Sequence, residues 1–213
     1  MAHLRTVCVG MPKDADWAGI GVTSIDKRPV TGPAKVTELG IAGDQVSDTV
    51  HHGGEDQAVY AFAREDIELW EARLGIPIRD GQFGENLTTE GVDLNAAQVG
   101  TRYRIGEVVL EISGVRTPCN DFKNWMGLSG FDNGQWVRRF AAERRPGPYL
   151  RVLETGMVEA GDEIEVVHEP THGITVVDLF VALNFEHRRL PELLAIEGLA
   201  PRIQRRVDEY LSP

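Results

Sequence analysis

Short runs in which apolar and polar residues alternate fill the chain up to about residue 168. In the clearest run, Val108, Leu110 and Ile112 are spaced two residues apart, with Glu107 and Glu111 among the positions between and before them. Period-two alternation predicts a half-buried strand, which we expect to end near Ser113 as the second arm of a hairpin from residue 99. The same reasoning predicts further strands at residues 4–9, 22–25, 36–44 (interrupted by a bend), 58–62, 149–153, 157–159 and 163–167.

Two segments within this region have helical periodicity instead. Residues 65–74 place apolar side chains at helical spacing behind an acidic first turn, and residues 132–145 also carry apolar residues with that spacing. Beyond Pro170 the remaining segments are all helical in period and predict three short helices. We therefore expect a strand-rich domain over residues 1–168 and a helical extension over residues 171–213.

Many short strands separated by turns are typical of a barrel rather than of a helical bundle. The predicted fold class is α+β, mainly β: a β-barrel with a few peripheral helices and a small C-terminal helical cluster. The chain has 213 residues and is 42% hydrophobic, which is ample for one core of this kind.

Charge and cysteine content narrow the classes of function. The formal net charge of −11 argues against a nucleic acid polymer as partner, because a surface that follows phosphates needs an excess of basic residues. No apolar stretch is long enough for a signal peptide or a membrane span, so we expect a soluble protein with no membrane partner. Two cysteines form no disulfide framework, which fits a cytoplasmic location.

Cys119 is the residue most indicative of chemistry. Pro118 breaks the predicted strand, and either Asn120 or Asp121 is suited to cap a short helix behind it. Cys119 would then lie just before a helix N-terminus, where backbone N–H groups stabilise a thiolate over a thiol. A thiolate there is a nucleophile or a ligand for a soft metal.

A free cysteine is more commonly a small buried hydrophobic residue, and that is the alternative for Cys119. Arg116 and Lys123 favour the functional interpretation, since positive charges also stabilise a thiolate. Cys8 lies in an apolar run and is expected in the core of a strand.

The sequence from His51 to Gln57 begins with two histidines and two glycines. If the histidines are extended, their side chains point to opposite faces, so at most one faces a site. Gly53 and Gly54 permit conformations in which consecutive N–H groups form an anion-binding nest, although a plain hairpin corner has the same sequence.

Three other polar segments are candidates for ligand contacts. Lys27 and Arg28 would bind an anion or belong to a solvated turn. The segment containing Asn86 and Thr88 would point polar groups at a ligand or form a polar strand edge. The last predicted helix has a basic side that would dock a partner or face solvent, with Arg202, Arg205 and Arg206 along it. A structural zinc site is not expected, because no Cys-x-x-Cys or His-Glu-x-x-His spacing is present.

Several of these segments together resemble MOSC domains, which are related to the C-terminal part of molybdenum cofactor sulfurase. The resemblance rests on a series of short sequences in the family's order and at roughly its intervals, over most of residues 20–168: Lys27-Arg28-Pro29-Val30, Gly43-Asp44, His51-His52-Gly53-Gly54-Glu55-Asp56-Gln57, Phe83-Gly84-Glu85-Asn86-Leu87-Thr88, Arg116-Thr117-Pro118-Cys119 and Gly156-Met157-Val158-Glu159-Ala160-Gly161-Asp162. The tail resembles the three-helix extension of the YiiM-like branch. Thr101 departs from the family, which commonly has an acidic residue there.

The resemblance implies a β-barrel domain that binds the molybdenum cofactor, molybdopterin, a pterin dithiolene with a phosphate. It implies that Cys119 is the catalytic residue and the ligand of the molybdenum. A soft metal with sulfur ligands suits a thiolate donor. The cofactor-binding positions it implies are Lys27, Arg28, His52, Gly53, Gly54, Asn86, Thr88 and Arg116. We expect Lys27, His52, the glycine pair, Asn86, Arg116 and Cys119 to converge on one cleft.

The activity implied by the resemblance is reduction of N-hydroxylated compounds, including hydroxylaminopurines and amidoximes, to amines. Electrons would come from a separate redox protein, because this chain has no Rossmann fingerprint, haem motif or iron–sulfur cysteine set. Alternatives are a sulfur carrier, a metal-free thiol enzyme with His52 as base for Cys119, and a non-catalytic carrier of the cofactor. A homodimer is one option for the assembly.

Overall fold

A computed structural model describes residues 1–212 of the chain. The strands are β1 (His3–Val9), β2 (Lys13–Asp14), β3 (Val22–Thr23), β4 (Arg28–Pro29), β5 (Ala34–Thr37), β6 (Gly40–Ile41), β7 (Val59–Ala63), β8 (Leu87–Glu90), β9 (Arg102–Ile105), β10 (Val108–Val115), β11 (Pro148–Glu154), β12 (Gly156–Val158) and β13 (Ile164–His168). The helices are α1 (Arg64–Leu74), α2 (Asn120–Leu128), α3 (Trp136–Glu143), α4 (Val176–Asn184) and α5 (Pro201–Leu211), with short 3₁₀ helices at Glu55–Gln57 and His187–Ala195. Within residues 1–212 no helix combines the length and apolar character that crossing a membrane requires.

The strands form one large sheet and two small ones. The eight-stranded sheet has the order β13-β9-β10-β11-β7-β8-β1-β4, and all its neighbours are antiparallel except β7 and β8. The predicted hairpin is present as β9 and β10, in which Val108 pairs with Ile105. Strands β12-β5-β6 and β2-β3 form the small sheets. The α+β class is confirmed.

The expectation of a closed barrel needs correction, because β13 and β4 at the two edges of the large sheet are not paired. The sheet curls until β1 approaches the start of β13. There an isolated bridge links His3 to Glu163, and the Leu4 N–H donates to the Asp162 carbonyl at 2.8 Å. The barrel therefore stays open beyond this short contact.

The two predicted internal helices are both present, but the ends of α1 were predicted more accurately than those of α3. α1 matches its periodicity and ends where Gly75 adopts a left-handed conformation, with φ 73°. α3 is shorter than the predicted 132–145, because Gln135 and Arg144 both have positive φ and end it on either side. A residue in the left-handed region cannot continue a right-handed helix.

Two clusters of apolar side chains form the interior. One fills the space between the large sheet and the C-terminal helices, with Leu110 and Ile112 of β10 packed together with Leu179 and Phe180 of α4. The other is aromatic and lies around α1, α2 and α3, with Trp70, Phe83, Phe122, Trp136 and Phe140 among its members.

The change from strands to helices falls where it was expected, between β13 and α4. α4 starts with a capping box, in which Thr175 and Asp178 exchange side-chain to backbone hydrogen bonds. The helices that follow share the first buried cluster with the sheet. The division into domains of residues 1–168 and 171–213 stays a prediction. The shared core favours unfolding of the two parts together.

We predict that Phe180→Ala lowers the free energy of unfolding by about 3–5 kcal/mol, because Phe180 of α4 is fully buried. Urea unfolding should remain a single transition when followed both by tryptophan fluorescence and by far-ultraviolet circular dichroism. Leu194→Ala is the matched control: Leu194 is 50% exposed, and its loss should change stability by no more than about 0.5 kcal/mol. Two separate transitions would show instead that the helical extension is an independent domain.

Candidate functional site

A cleft opens where β10 leads into α2, and most of the residues predicted for the site lie around it. Its lining includes Lys27, His52, Gly53, Asn86, Arg116 and Cys119, which are far apart in sequence. The backbone of four segments brings them together: the chain before β4, the loop between β6 and β7, the chain before β8, and the turn after β10. The predicted convergence is therefore present for these six residues, whereas Gly54, which was also expected here, does not line the cleft.

Cys119 itself caps the N-terminus of α2. Its φ and ψ of −122° and 172° are extended, and its Sγ accepts a hydrogen bond from the Phe122 N–H at 3.4 Å. This corrects the expectation that Asn120 or Asp121 is the cap. Asp121 instead accepts from the Gly19 N–H at 3.1 Å, which ties an outer loop to the helix. The half-buried thiol thus lies where the helix dipole favours negative charge on sulfur.

Arg116 is a buried cation beside this thiol. Only 6% of the residue is exposed, and its Nη1 donates to the Phe83 carbonyl at 2.6 Å. The guanidinium carbon lies 3.8 Å from the centre of the Phe122 ring and 5.1 Å from that of Tyr60. No carboxylate within residues 1–212 forms an ion pair with it. A buried positive charge without a carboxylate partner is unfavourable, so it favours an anion entering the cleft.

Lys27 differs from Arg116 because its charge is already paired. Its ammonium binds the carboxylate of Asp44, with 2.6 Å between Nζ and Oδ2. The same carboxylate accepts from Asn86 Nδ2 at 2.9 Å and from the Gly10 N–H at 2.7 Å. Burial lowers the pKa of Lys27, although Asp44 opposes that shift. Lys27 and Asn86 therefore form part of a closed polar network in the cleft wall.

The loop between β6 and β7 contributes His52 and Gly53. His51 is exposed and bonds to Asp48 at 2.9 Å, so a single histidine of the pair lines the cleft, as expected. The pair lies in a turn, however, and not in an extended segment. Burial lowers the pKa of His52, and the positive charge of Arg116 adds to the effect. The neutral imidazole is thereby favoured.

The glycine pair has the backbone freedom that its sequence suggested. Gly53 and Gly54 have φ of 76° and 80°, which residues with a Cβ rarely adopt. Within residues 1–212 neither N–H donates a hydrogen bond. Gly53 lines the cleft, whereas Gly54 lines an adjoining groove beside α5. Free amides next to a cleft are suited to bind an anion.

The family model of the MOSC domain matches residues 48–165, which include the loop, Arg116 and Cys119. This chain belongs to the MOSC domain family. It is 30% identical over 187 residues to the protein YiiM of Escherichia coli (strain K12), covering 84% of this chain and 80% of YiiM.

Two further comparisons extend this MOSC assignment. A protein named reductase from Gibberella moniliformis is 30% identical over 172 residues, which are 78% of this chain but 29% of the longer fungal protein. The crystal structure of YiiM from Geobacillus stearothermophilus superposes with a TM-score of 0.81 at 24% identity and covers 100% of both chains. The structural likeness shows that the MOSC domain and its C-terminal helices share one fold with that YiiM.

Besides Gly54, two predicted residues lie outside the cleft of this MOSC domain. Arg28 is exposed and pairs with Asp26 at 2.7 Å. Thr88 is fully buried in β8, where its hydroxyl donates to Glu85 Oε1 at 3.2 Å. The alternative of a polar strand edge is also wrong for this segment, because β8 pairs with β1 on one side and β7 on the other.

Sequence reasoning missed Asp44 and Tyr149, both of which line the cleft. Asp44 was noted only as part of a Gly-Asp pair, and no local pattern reveals that its carboxylate joins Lys27 to Asn86. Tyr149 occupies an ordinary strand position in β11. Its place in the cleft follows from the pairing of Tyr149 with Gly114 and Tyr60, which is a property of the sheet.

Glu85 is a buried carboxyl group directly behind the cleft wall. It has no measurable exposure, its Oε1 accepts from the Gly81 N–H, and its Oε2 has no partner within residues 1–212. Burial raises the pKa of Glu85 to about 7. The carboxyl is thus held in its protonated form in mildly acidic solution.

We predict that Glu85 makes the stability of the wild type fall as pH rises from 4.5 to about 7. Below that window both folded and unfolded states are protonated; within it only the unfolded state releases its proton, so unfolding becomes easier. Relative to Glu85→Gln, the wild type should lose up to about 3 kcal/mol across the window and then change no further. Urea unfolding of both proteins at a series of pH values measures this. Parallel curves would mean that Glu85 ionises as it does in water.

Proposed function

We propose that this MOSC domain binds the molybdenum cofactor and reduces N-hydroxylated compounds, such as hydroxylaminopurines and amidoximes, to the corresponding amines and amidines. The observation that carries the proposal is the joint position of Cys119 and Arg116 in one cleft. A soft thiol at a helix N-terminus lies beside a buried cation that has no carboxylate partner. The fungal relative named reductase supports reductive chemistry.

The residues of the cleft fit the cofactor in three respects. Cys119 offers the soft sulfur donor that a metal in a dithiolene prefers. Arg116 and the free Gly53 N–H offer positive charge and a hydrogen-bond donor to an anionic group such as a phosphate. Within residues 1–212 no group of three or more His, Cys, Asp or Glu side chains is arranged to hold a metal. A metal bound at Cys119 would therefore take most of its ligands from an organic cofactor.

When bound, the cofactor supplies the metal centre that passes electrons to the substrate. The overall reaction breaks the N–O bond and takes up two electrons and two protons, which gives water and an amine from a hydroxylamino group or an amidine from an amidoxime. Cys119 would hold the metal through its sulfur, and Arg116 would balance negative charge in a place where water is largely excluded. Neutral His52 is available as a hydrogen-bond donor or acceptor at the cleft. The electrons come from a separate redox protein.

The metal-free alternative has less support from the geometry. A cysteine nucleophile activated by His52 needs a third group that orients the imidazole. Within residues 1–212 the ring of His52 forms no hydrogen bond, and the nearby carboxylate of Asp48 is already engaged by the ring of His51. A sulfur carrier and a non-catalytic carrier of the cofactor would use the same cleft, and activity assays distinguish them from a reductase.

We predict that Cys119→Ser folds normally but loses molybdenum and the reduction of N-hydroxylated substrates. A hydroxyl has nearly the volume of a thiol, stays protonated at neutral pH and is a poor donor to a soft metal. Metal analysis, the absorption spectrum and turnover of benzamidoxime with an artificial electron donor measure the change. Cys8→Ala is the control, because Cys8 is buried in β1 and should affect neither metal content nor turnover.

Activity alone does not separate a metal ligand from a nucleophile, so wild type should also be produced in medium with tungstate and in a host that makes no molybdopterin. The proposal expects both preparations to be inactive. Full turnover in either would contradict it and leave the metal-free thiol enzyme. A protein that binds molybdenum stoichiometrically yet reduces no N-hydroxylated compound would be a carrier.

We further predict that Arg116→Met weakens retention of the cofactor at least about tenfold, because an anion loses a charge-assisted partner. The metal-free variant should be as stable as wild type or more stable, since a buried charge without a carboxylate is replaced by an apolar side chain of similar length. Molybdenum content after gel filtration and urea unfolding of the metal-free protein measure the two effects. A loss of more than about 2 kcal/mol would assign Arg116 a structural role instead.

A further inference from the structure

We propose that the C-terminal helix α5 is a positioning element of the cleft, and that Arg202 on this helix fixes the loop of residues 48–54. This inference goes beyond the proposed function and does not depend on the identity of the ligand. It assigns a role to the helical extension, which lies far from Cys119 in sequence. The contacts of α5 on its two sides carry the inference.

One side of α5 is fixed against the strand that leads into the cleft. Ile203 and Val207 are buried and belong to the main apolar cluster. A Cβ placed on Gly114 of β10 would lie 3.8 Å from Cδ1 of Ile203, an ordinary packing distance. β10 continues directly into Arg116, so α5 rests on the part of the sheet that positions this cation.

Arg202, in the first turn of α5, reaches the loop. Its guanidinium donates to the carbonyl of His51 and, at 3.2 Å, to the carbonyl of Val50. These carbonyls immediately precede His52 and Gly53, the two loop residues that line the cleft. Helix α5 therefore connects the strand behind Arg116 to the loop that carries His52.

The loop has little else to hold it. Asp48 accepts from the N–H groups of Val50 and His51, both at 3.1 Å, and these bonds shape the turn without attaching it to the rest of the protein. Within residues 1–212, the hydrogen bonds that join residues 48–54 to a distant part of the chain all come from Arg202.

A second connection lies just beyond the loop and also involves the C-terminal extension. Arg151 of β11 pairs with Asp56 at 2.7 Å and donates to the carbonyl of Gly198 at 2.9 Å. Gly198 lies shortly before α5, and Asp56 lies in the short 3₁₀ helix after the glycine pair. Arg151 thus fixes the segment that follows the loop to the segment that precedes α5.

Arg202→Ala should release the loop without unfolding the protein. Hydrogen exchange of the metal-free protein, followed by mass spectrometry, should show the hydrogen-bonded amides of residues 50–52 exchanging about tenfold faster than in wild type. Amides of β10 should exchange at the wild-type rate. Arg202→Lys should restore part of the protection, because a lysine keeps the charge but not the forked geometry of the guanidinium.

Arg205→Ala is the matched control. Arg205 lies on the same helix, is exposed and forms no hydrogen bond or ion pair within residues 1–212, so its loss should leave loop exchange unchanged. Unchanged loop exchange in Arg202→Ala, or equal acceleration in Arg205→Ala, would overturn the inference.

Turnover by the protein that contains the molybdenum cofactor gives an independent test of the role of Arg202. Arg202→Ala should lower kcat/KM for an N-hydroxylated substrate about tenfold or reduce its molybdenum content, and Arg205→Ala should do neither. If no N-hydroxylated compound is reduced even by wild type, the proposed function fails. The exchange measurement still decides the role of Arg202, because it uses the metal-free protein.

Discussion

The buried charge of Arg116, which no carboxylate within residues 1–212 neutralises, is the constraint on which the binding chemistry of the cleft depends. The guanidinium packs on the ring of Phe122 in α2, lies near the ring of Tyr60 in β7 and donates to the carbonyl of Phe83 ahead of β8. One side chain thereby joins the cleft to the aromatic cluster. Rings stabilise a cation through their faces, but they do not neutralise it. The charge of Arg116 consequently remains available to an anion that enters the cleft.

The second cation of the cleft shows why burial alone is an insufficient guide to binding. Lys27 is about as buried as Arg116, yet its charge is matched by Asp44, whose oxygens also receive Asn86 and the backbone of Gly10. An anion that approached Lys27 would compete with a carboxylate already in place. The two residues looked equivalent as basic positions in the sequence. Because Lys27 is paired with Asp44, it is a structural element of the cleft wall. Arg116 has no carboxylate partner within residues 1–212 and is the better anion site.

Sequence reasoning succeeded where a feature depends on neighbours in the chain. The alternation before Ser113 and the helical spacing of residues 65–74 predicted β10 and α1 nearly to their ends. The prediction that this strand is half-buried was wrong, because all eight residues of β10 are buried. Cys119 was expected at a helix N-terminus because Pro118 must interrupt the strand. Its role as the cap was missed, since sulfur is an unusual acceptor there.

Features that depend on distant residues could not be read in the same way. Arg28 follows Lys27 directly in the sequence. Successive side chains of an extended segment point in opposite directions, so Arg28 faces solvent while Lys27 is buried. From the sequence, Thr88 resembles a polar residue on an edge strand. In the structure β8 lies between β1 and β7 and is not an edge strand. Closure of the sheet was overestimated because no local pattern fixes which edge strands pair.

The conformation of the loop that carries His52 depends both on neighbouring residues and on a distant one. Two successive glycines with positive φ give it a shape that few other residues allow, and the same freedom makes that shape entropically unfavourable to keep. The two glycines have no side chains that could pack against a core and hold the loop in place. The order that a binding cleft requires must then come from outside the loop. Arg202 acts through backbone carbonyls, which every residue has, so the sequence of the loop gives no sign of this contact. A cleft built around a flexible glycine turn therefore draws on a helix that the chain forms only near its end.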